Sequence, residues 1–114
     1  MTDCLFCNIV LGKIDSNSAG QNDLAFAFFD IAPVAPIHIL IVPMRHIENA
    51  NELQSTDAEV LAKMMSLSQE LAEKHSLTDK GYRLVFNVGD DAGNTVPHLH
   101  MHLLGGRRLG WPPG

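Results

Sequence analysis

Basic charge is scarce in this chain. Lys and Arg number 8 against 13 Asp and Glu, a formal net charge of −5. That balance argues against non-specific binding to polymeric nucleic acid or to an anionic membrane. It leaves a single nucleotide open as a ligand, because backbone N–H groups and imidazoles hold a small anion without a basic surface. Long apolar runs are also missing: no stretch of about 18 apolar residues reads as a membrane span. Met1-Thr2-Asp3-Cys4 lack the basic start and long apolar run of a signal peptide, so a cytoplasmic address is expected. Cysteine is limited to Cys4 and Cys7. In a reducing compartment such a pair is not expected to form a structural disulfide, and Cys-x-x-Cys suits metal or redox work. A thioredoxin-like role is disfavoured, because Cys4 does not follow a first strand in a βαβ pattern. Tryptophan occurs once, as Trp111, in a tail with Pro112 and Pro113. The prolines reduce the entropy lost on ordering, and the Trp can anchor the tail on this chain or on a second one.

What is present is ordinary globular material. With 114 residues and 46% hydrophobic residues, one domain over residues 1–114 is expected, ending in a short tail over 105–114. Residues 4–11 read as helical or irregular, and 13–23 as a connection or weak hairpin. Residues 24–29 (LAFAFF) and 37–42 (IHILIV) read as strands, joined through Pro33 and Pro36 and closed by Pro43. The clearest helix runs from about Asp57 to Lys74, with Val60, Met64, Leu67 and Leu71 on one face. Thr56 and Glu59 have capping-box spacing, and His75 sits favourably at the helix end. Residues 83–88 and 96–104 read as further strands, separated by a turn over 89–94. This order predicts an α+β fold with a mostly antiparallel sheet.

Half of the six histidines fall in His98-Leu99-His100-Met101-His102. A strand puts alternate side chains on one face, so the three imidazoles would line one surface, roughly 6.5–7 Å apart. Leu99, Met101 and Leu103 would then face a core. Such a row suits a phosphorus site, in which a phosphoryl group passes to an imidazole nitrogen and then to water. The central His100 fits the nucleophile, with His98 or His102 donating to phosphoryl oxygens or anchoring backbone. Amides of Gly93-Asn94-Thr95 and the Thr95 hydroxyl can hold phosphate oxygens or supply a proton to the leaving group. A metal reading competes: Cys4 and Cys7 with His46 and one histidine of the triplet can complete a zinc tetrahedron, or the cysteines are simply reduced thiols.

Asp30 ends an aromatic strand, where it can bind both ribose hydroxyls or start a turn. Phe6, Phe28 and Ile31 can supply an apolar slot for a base or belong to the core. His38 is a core histidine or an orienting partner for His100. Asn87 can orient a catalytic group or cap the turn after its strand.

Together these blocks resemble the histidine triad superfamily of nucleotide hydrolases and transferases. The resemblance covers nearly the whole chain. It rests on His98-x-His100-x-His102-Leu103-Leu104, on Phe28-Phe29-Asp30-Ile31-Ala32-Pro33, on residues 35–43 and on residues 82–89. Leu104-Gly105-Gly106-Arg107 and Trp111-Pro112-Pro113-Gly114 point to its purine nucleoside phosphoramidase branch. The resemblance implies a homodimer in which two five-stranded, mainly antiparallel sheets, each with one long helix, join across the interface. It implies nucleophilic attack by His100 on the α-phosphorus, with catalytic support from His98, His102, His38 and Thr95. Asp30 would bind ribose, and Ile31, Phe6, Asn87, Gly93, Asn94, Thr95, His100 and His102 would also contact substrate. Trp111 would reach toward the neighbouring subunit's site. Cys4, Cys7, His46 and His98 match the structural zinc set of zinc-bearing members. Departures include Asn94 for a longer Gln, Pro97 for a bulkier residue, Phe29 for a polar one and Gly110 for a larger one.

The expected function is hydrolysis of purine nucleoside 5′-monophosphoramidates to AMP or GMP through a nucleotidyl-histidine intermediate. No cofactor is required for the chemistry, and a structural Zn2+ is the one metal the residues invite. The alternatives are dinucleoside polyphosphate hydrolysis and a nucleotide-binding regulatory protein with little turnover.

Overall fold

The computed structural model describes residues 3–114. Five strands among them form one sheet in the order β1-β2-β3-β5-β4, with every neighbouring pair antiparallel. The strands are β1 (Ser18–Gln21), β2 (Ala25–Phe29), β3 (Ile37–Pro43), β4 (Tyr82–Phe86) and β5 (Met101–Gly105). A short helix, α1 (Leu5–Val10), precedes them, and the long helix α2 (Ala58–Lys74) follows β3. The α+β architecture with one long helix is therefore as expected.

Period-two alternation gives the sheet two different faces. Ala25 and Ala27 of β2, Ile39 and Ile41 of β3, and Met101 and Leu103 of β5 face α2. They meet Met64, Leu67 and Leu71 of that helix, each nearly or fully buried. Burying each of those side chains contributes about 1.5–3 kcal/mol. The small alanines of β2 let the helix approach closely. The opposite face carries Phe28, Leu40 and Val42, covered by Phe6 and Ile9 of α1. The functional side chains lie on this second face.

Several boundaries differ from the sequence reading. Residues 13–23 contain a true strand: β1 pairs Gly20 with Ala27 and Gln21 with Phe26, across a register shift after Ser18. The histidine strand begins at Met101 rather than Val96. Pro97 has no N–H for a ladder, and the Leu99 N–H donates to the Ile47 carbonyl at 2.6 Å instead. The cap of α2 is also displaced. Asp57, not Thr56, precedes the helix, and its carboxylate accepts from the Gln54 N–H at 2.9 Å while pairing with Arg45. Glu59 is left in the first helical turn. Gly105 closes β5 opposite Ile37 and Tyr82, so the tail starts one residue later than expected.

Candidate active site and metal-ligand cluster

The three histidines alternate with core residues, but only His102 lies within β5; His100 and His102 line a cavity, and His98 joins Cys4, Cys7 and His46. Leu99, Met101 and Leu103 enter the α2 core. His100 and His102 stand with ring centroids 5.1 Å apart, and Phe6 packs edge-on against both His98 and His100. His98 is fully buried, and His38 and His100 nearly so.

Hydrogen-bond partners give His100 one tautomer and His98, His38 and His102 the other. The His100 Nδ1 lies 2.7 Å from the His98 carbonyl oxygen. A carbonyl only accepts, so Nδ1 carries the proton and Nε2 of the neutral ring keeps its lone pair. The His98 Nε2 lies 3.0 Å from the Pro43 carbonyl, so it donates there and Nδ1 holds the lone pair. The Val34 N–H donates to the His38 Nδ1 at 3.2 Å. The His38 proton is then on Nε2, which lies 2.9 Å from the His102 Nδ1. His102 accepts there and carries its own proton on Nε2.

Electrostatics favour the neutral form of His102, His38 and His98. Burial holds His102 down at about 4, with the His100 and His38 charges acting in the same direction and Asp30 against them. Burial also lowers His38, opposed by Asp30, whose Oδ2 lies 3.4 Å from the His38 Nε2. His98 is lowered by burial first, then by His46 and His100, against the Pro43 hydrogen bond.

A cavity of about 460 Å³ opens over this face. His100, His102, Asp30, Thr95, Phe6, Phe28 and Ile31 all line it, so seven of the expected site residues converge. The Asp30 Oδ1 accepts from the Ala32 N–H at 2.8 Å. Sequence reasoning missed Ile9, Ile14, Leu40 and the polar run Asp15-Ser16-Asn17, which also line the cavity. Leu40 was recoverable, being two residues beyond His38 on the same strand face. The 15–17 wall was not, since it depends on β1 folding onto β2.

The other expected contacts lie elsewhere. The Asn87 side chain donates to the Ala92 carbonyl at 2.9 Å, the turn-capping alternative, and does not line this cavity. Gly93 closes that turn at φ +82°, in the left-handed region. Asn94 accepts from the Val96 N–H at 3.3 Å and, with Thr95, lines a neighbouring cavity of about 270 Å³. Trp111 is 82% exposed and stands outside the main cavity.

A second cluster lies behind His98. The donor atoms of Cys4, Cys7, His46 and His98 all fall within 4.8 Å of one another. The His98 Nδ1 is 3.3 Å from both thiol sulfurs and from the His46 Nδ1, and the Cys7 Sγ is 3.3 Å from the His46 Nδ1. Burial pushes the Cys7 thiol up to about 11, with the Cys4 hydrogen bond and charge adding to it. A tetrahedral zinc needs donor separations of about 3.3–3.8 Å. Four of the six separations sit at the short end of that range and the other two lie within 4.8 Å, so the donor set suits such an ion.

Comparison with known proteins follows the same lines. A family model described as the HIT domain matches residues 12–109. The purine nucleoside phosphoramidase of Escherichia coli K12 is 40% identical over 108 residues, covering 95% of this chain and 91% of its own. An uncharacterised HIT-like protein of Synechococcus elongatus is 42% identical, covering 98% and 97%. The crystal structure of a HIT family hydrolase from Legionella pneumophila Philadelphia 1 superposes with a TM-score of 0.96 at 45% identity, covering 98% of this chain and all of that one.

Proposed function

The chain belongs to the HIT-domain family, and from that premise we propose that it hydrolyses purine nucleoside 5′-monophosphoramidates to AMP or GMP and an amine. The observation that carries this reading is the His100 ring. Its Nδ1–H is committed to the His98 carbonyl, and its ring edges a cavity shared with Asp30 and Thr95. The free Nε2 attacks the α-phosphorus, the phosphorus–nitrogen bond breaks, and the nucleotidyl group stays on His100. The departing nitrogen takes a proton, for which the Thr95 hydroxyl in the cavity wall is the donor. Water then attacks phosphorus, releases the nucleoside monophosphate and returns the lone pair to His100. The neutral His102 offers its Nε2–H to a phosphoryl oxygen throughout. Asp30 binds the ribose hydroxyls, and Phe6, Phe28 and Ile31 flank the base. Asn87, Gly93 and Asn94 act on the phosphate side through the shape of the 89–94 turn.

Zn2+ in the Cys4, Cys7, His46 and His98 cluster has a structural role in this reading. Cys4, Cys7, His46 and His98 would hold it, tying the start of α1 to the segment that leads into β5. The chemistry itself uses no metal. Reduced ligand thiols fit the cytoplasm.

The protein works as a homodimer whose sheets join edge to edge. Edge strand β4 carries Phe86, 37% exposed, and the exposed Trp111 is free to reach a partner's cavity.

Turnover of adenosine 5′-phosphoramidate by wild type and His100→Ala, with intact mass spectrometry of quenched reactions, tests the assignment. Turnover lost in the variant and a transient nucleotidyl mass on wild type are expected. Diadenosine polyphosphate hydrolysed in preference, or folded wild type without turnover on either substrate, would overturn it.

A further inference from the structure

His38 carries its proton on Nε2, between His102 and Asp30, because the Val34 N–H occupies Nδ1. What places that amide is the connection between β2 and β3. Residues 31–36 contain Pro33 and Pro36, which have no N–H, leaving four amides in this stretch that can donate. Val34 supplies the one that reaches the His38 Nδ1, at 3.2 Å. Val34 is itself 60% exposed, and burial does not hold it in place.

Two residues directly after β5 grip this connection. The Arg107 guanidinium donates to the Val34 carbonyl at 2.9 Å and, through its other terminal nitrogen, to the Arg108 carbonyl at 3.0 Å. Gly106 lies against Pro36: a Cβ at position 106 would stand 2.9 Å from the Pro36 Cβ, with backbone at φ +92° besides. Neither residue lines the cavity over the histidines. Both act on the far side of the proline connection.

The geometry points to Gly106-Arg107 as a clamp on the proline connection, with Arg107 as a positioning residue for the reaction. A continuous chain of contacts runs from the Arg107 guanidinium to the Val34 carbonyl, from the Val34 N–H to the His38 Nδ1, and from the His38 Nε2–H to the His102 Nδ1. Each step sets the next. If Val34 moves away, the His38 Nδ1 loses its only backbone donor in this chain of contacts. The ring is then free to place its proton on Nδ1, and His102 loses the donor that keeps its own proton on Nε2. The phosphoryl oxygen then meets a lone pair on His102 instead of a donor. The clamp therefore bears on turnover through His38 and His102, while Asp30 keeps its own tie to the Ala32 N–H. The inference rests on the histidine roles of the proposed function, but its structural half is measurable without substrate.

The test is nitrogen NMR of histidine-labelled protein, read beside phosphoramidate kinetics, on wild type, Arg107→Ala, Arg107→Lys and Arg108→Ala. Wild type is expected to show His38 as the Nε2–H tautomer. Arg107→Ala should move His38 toward the Nδ1–H tautomer and lower kcat by about 10–100-fold with KM little changed, as loss of a group that orients a site residue does. Arg107→Lys keeps one donor for the Val34 carbonyl and should restore both readouts. Arg108→Ala removes an equal charge next door and should change neither. If Arg107→Ala unfolds, the Lys variant decides: the wild-type tautomer and kcat support the clamp, and a shifted tautomer overturns it. An unchanged His38 tautomer in folded Arg107→Ala overturns the clamp. A shifted tautomer in a protein with no phosphoramidate turnover would instead leave the clamp standing and remove the proposed substrate.

Discussion

His38 Nε2 and His102 Nδ1 stand 2.9 Å apart, and their shared hydrogen bond sets which face of His102 presents a proton. On the proposed function the pair is expected to bear on turnover more than on folding, because His38 is also held by Asp30 and the Val34 amide. His38→Asn removes the ring donor while keeping a polar side chain. Its kcat should fall by about tenfold or more, with KM for the phosphoramidate close to wild type. Steady-state kinetics on the purified variant reads this directly. An equal rise in KM would place His38 in ground-state binding instead.

Neutral histidines also give the fold a pH dependence. In the unfolded chain His102 returns to its ordinary value of 6.5, whereas in the folded protein burial holds it at about 4. Between these values the unfolded chain binds the proton that the folded one refuses. Stability then rises with pH through that window and is lost as pH falls from about 6.5 toward about 4. His38, lowered by burial, acts in the same direction. Thermal unfolding from pH 7.5 to 4 should show a falling Tm, with a shallower fall in His102→Gln. A parallel slope in that variant would assign the dependence to other groups.

Phe6 joins the α1 cluster to the site. Its ring lies 5.4 Å from Phe28, 6.0 Å from His98 and 5.1 Å from His100, each contact edge-on, and it is only 4% exposed. Truncation to Ala removes the wall behind His100 and opens a void. A loss of about 3–5 kcal/mol is expected from urea unfolding. KM should also rise, since Phe6 lines the cavity. Phe6→Leu fills most of the volume without the aromatic edge and should recover most of the stability. Equal losses in both variants would point to the ring contacts rather than to packing.

Much of this was legible in the chain because two periodicities were strong. Val60, Met64, Leu67 and Leu71 marked α2, and the alternation of histidine with Leu99, Met101 and Leu103 placed three imidazoles on one face. The failures share a cause. β1 is a short strand stabilised by pairing with β2, and its own residues carry no strong alternation. The α2 cap moved because Asp57 found two partners at once, the Gln54 amide and Arg45, the second of them brought in by the tertiary fold. The segment before Met101 left the ladder because Pro97 cannot donate and the Leu99 amide meets the Ile47 carbonyl across the fold. Tautomers were beyond the sequence for the same reason. They depend on which carbonyl or amide the fold brings to each ring.

The cysteine–histidine cluster offers the clearest separation of structure from chemistry. His98 presents Nδ1 to Cys4, Cys7 and His46 while its Nε2 is tied to the Pro43 carbonyl. A ligating histidine held through its second nitrogen is oriented for a metal. One zinc per chain should be found by elemental analysis of protein purified without chelator. Its removal should lower Tm, because the thiols, the histidines and the start of α1 lose their common anchor. Cys7→Ser should lower both zinc content and Tm. At a temperature where that variant is still folded, turnover per folded molecule should stay near wild type, since His100 and His102 line the cavity and the four cluster residues do not. Turnover that instead tracked zinc content at constant folded fraction would make the metal part of the reaction and overturn the structural assignment.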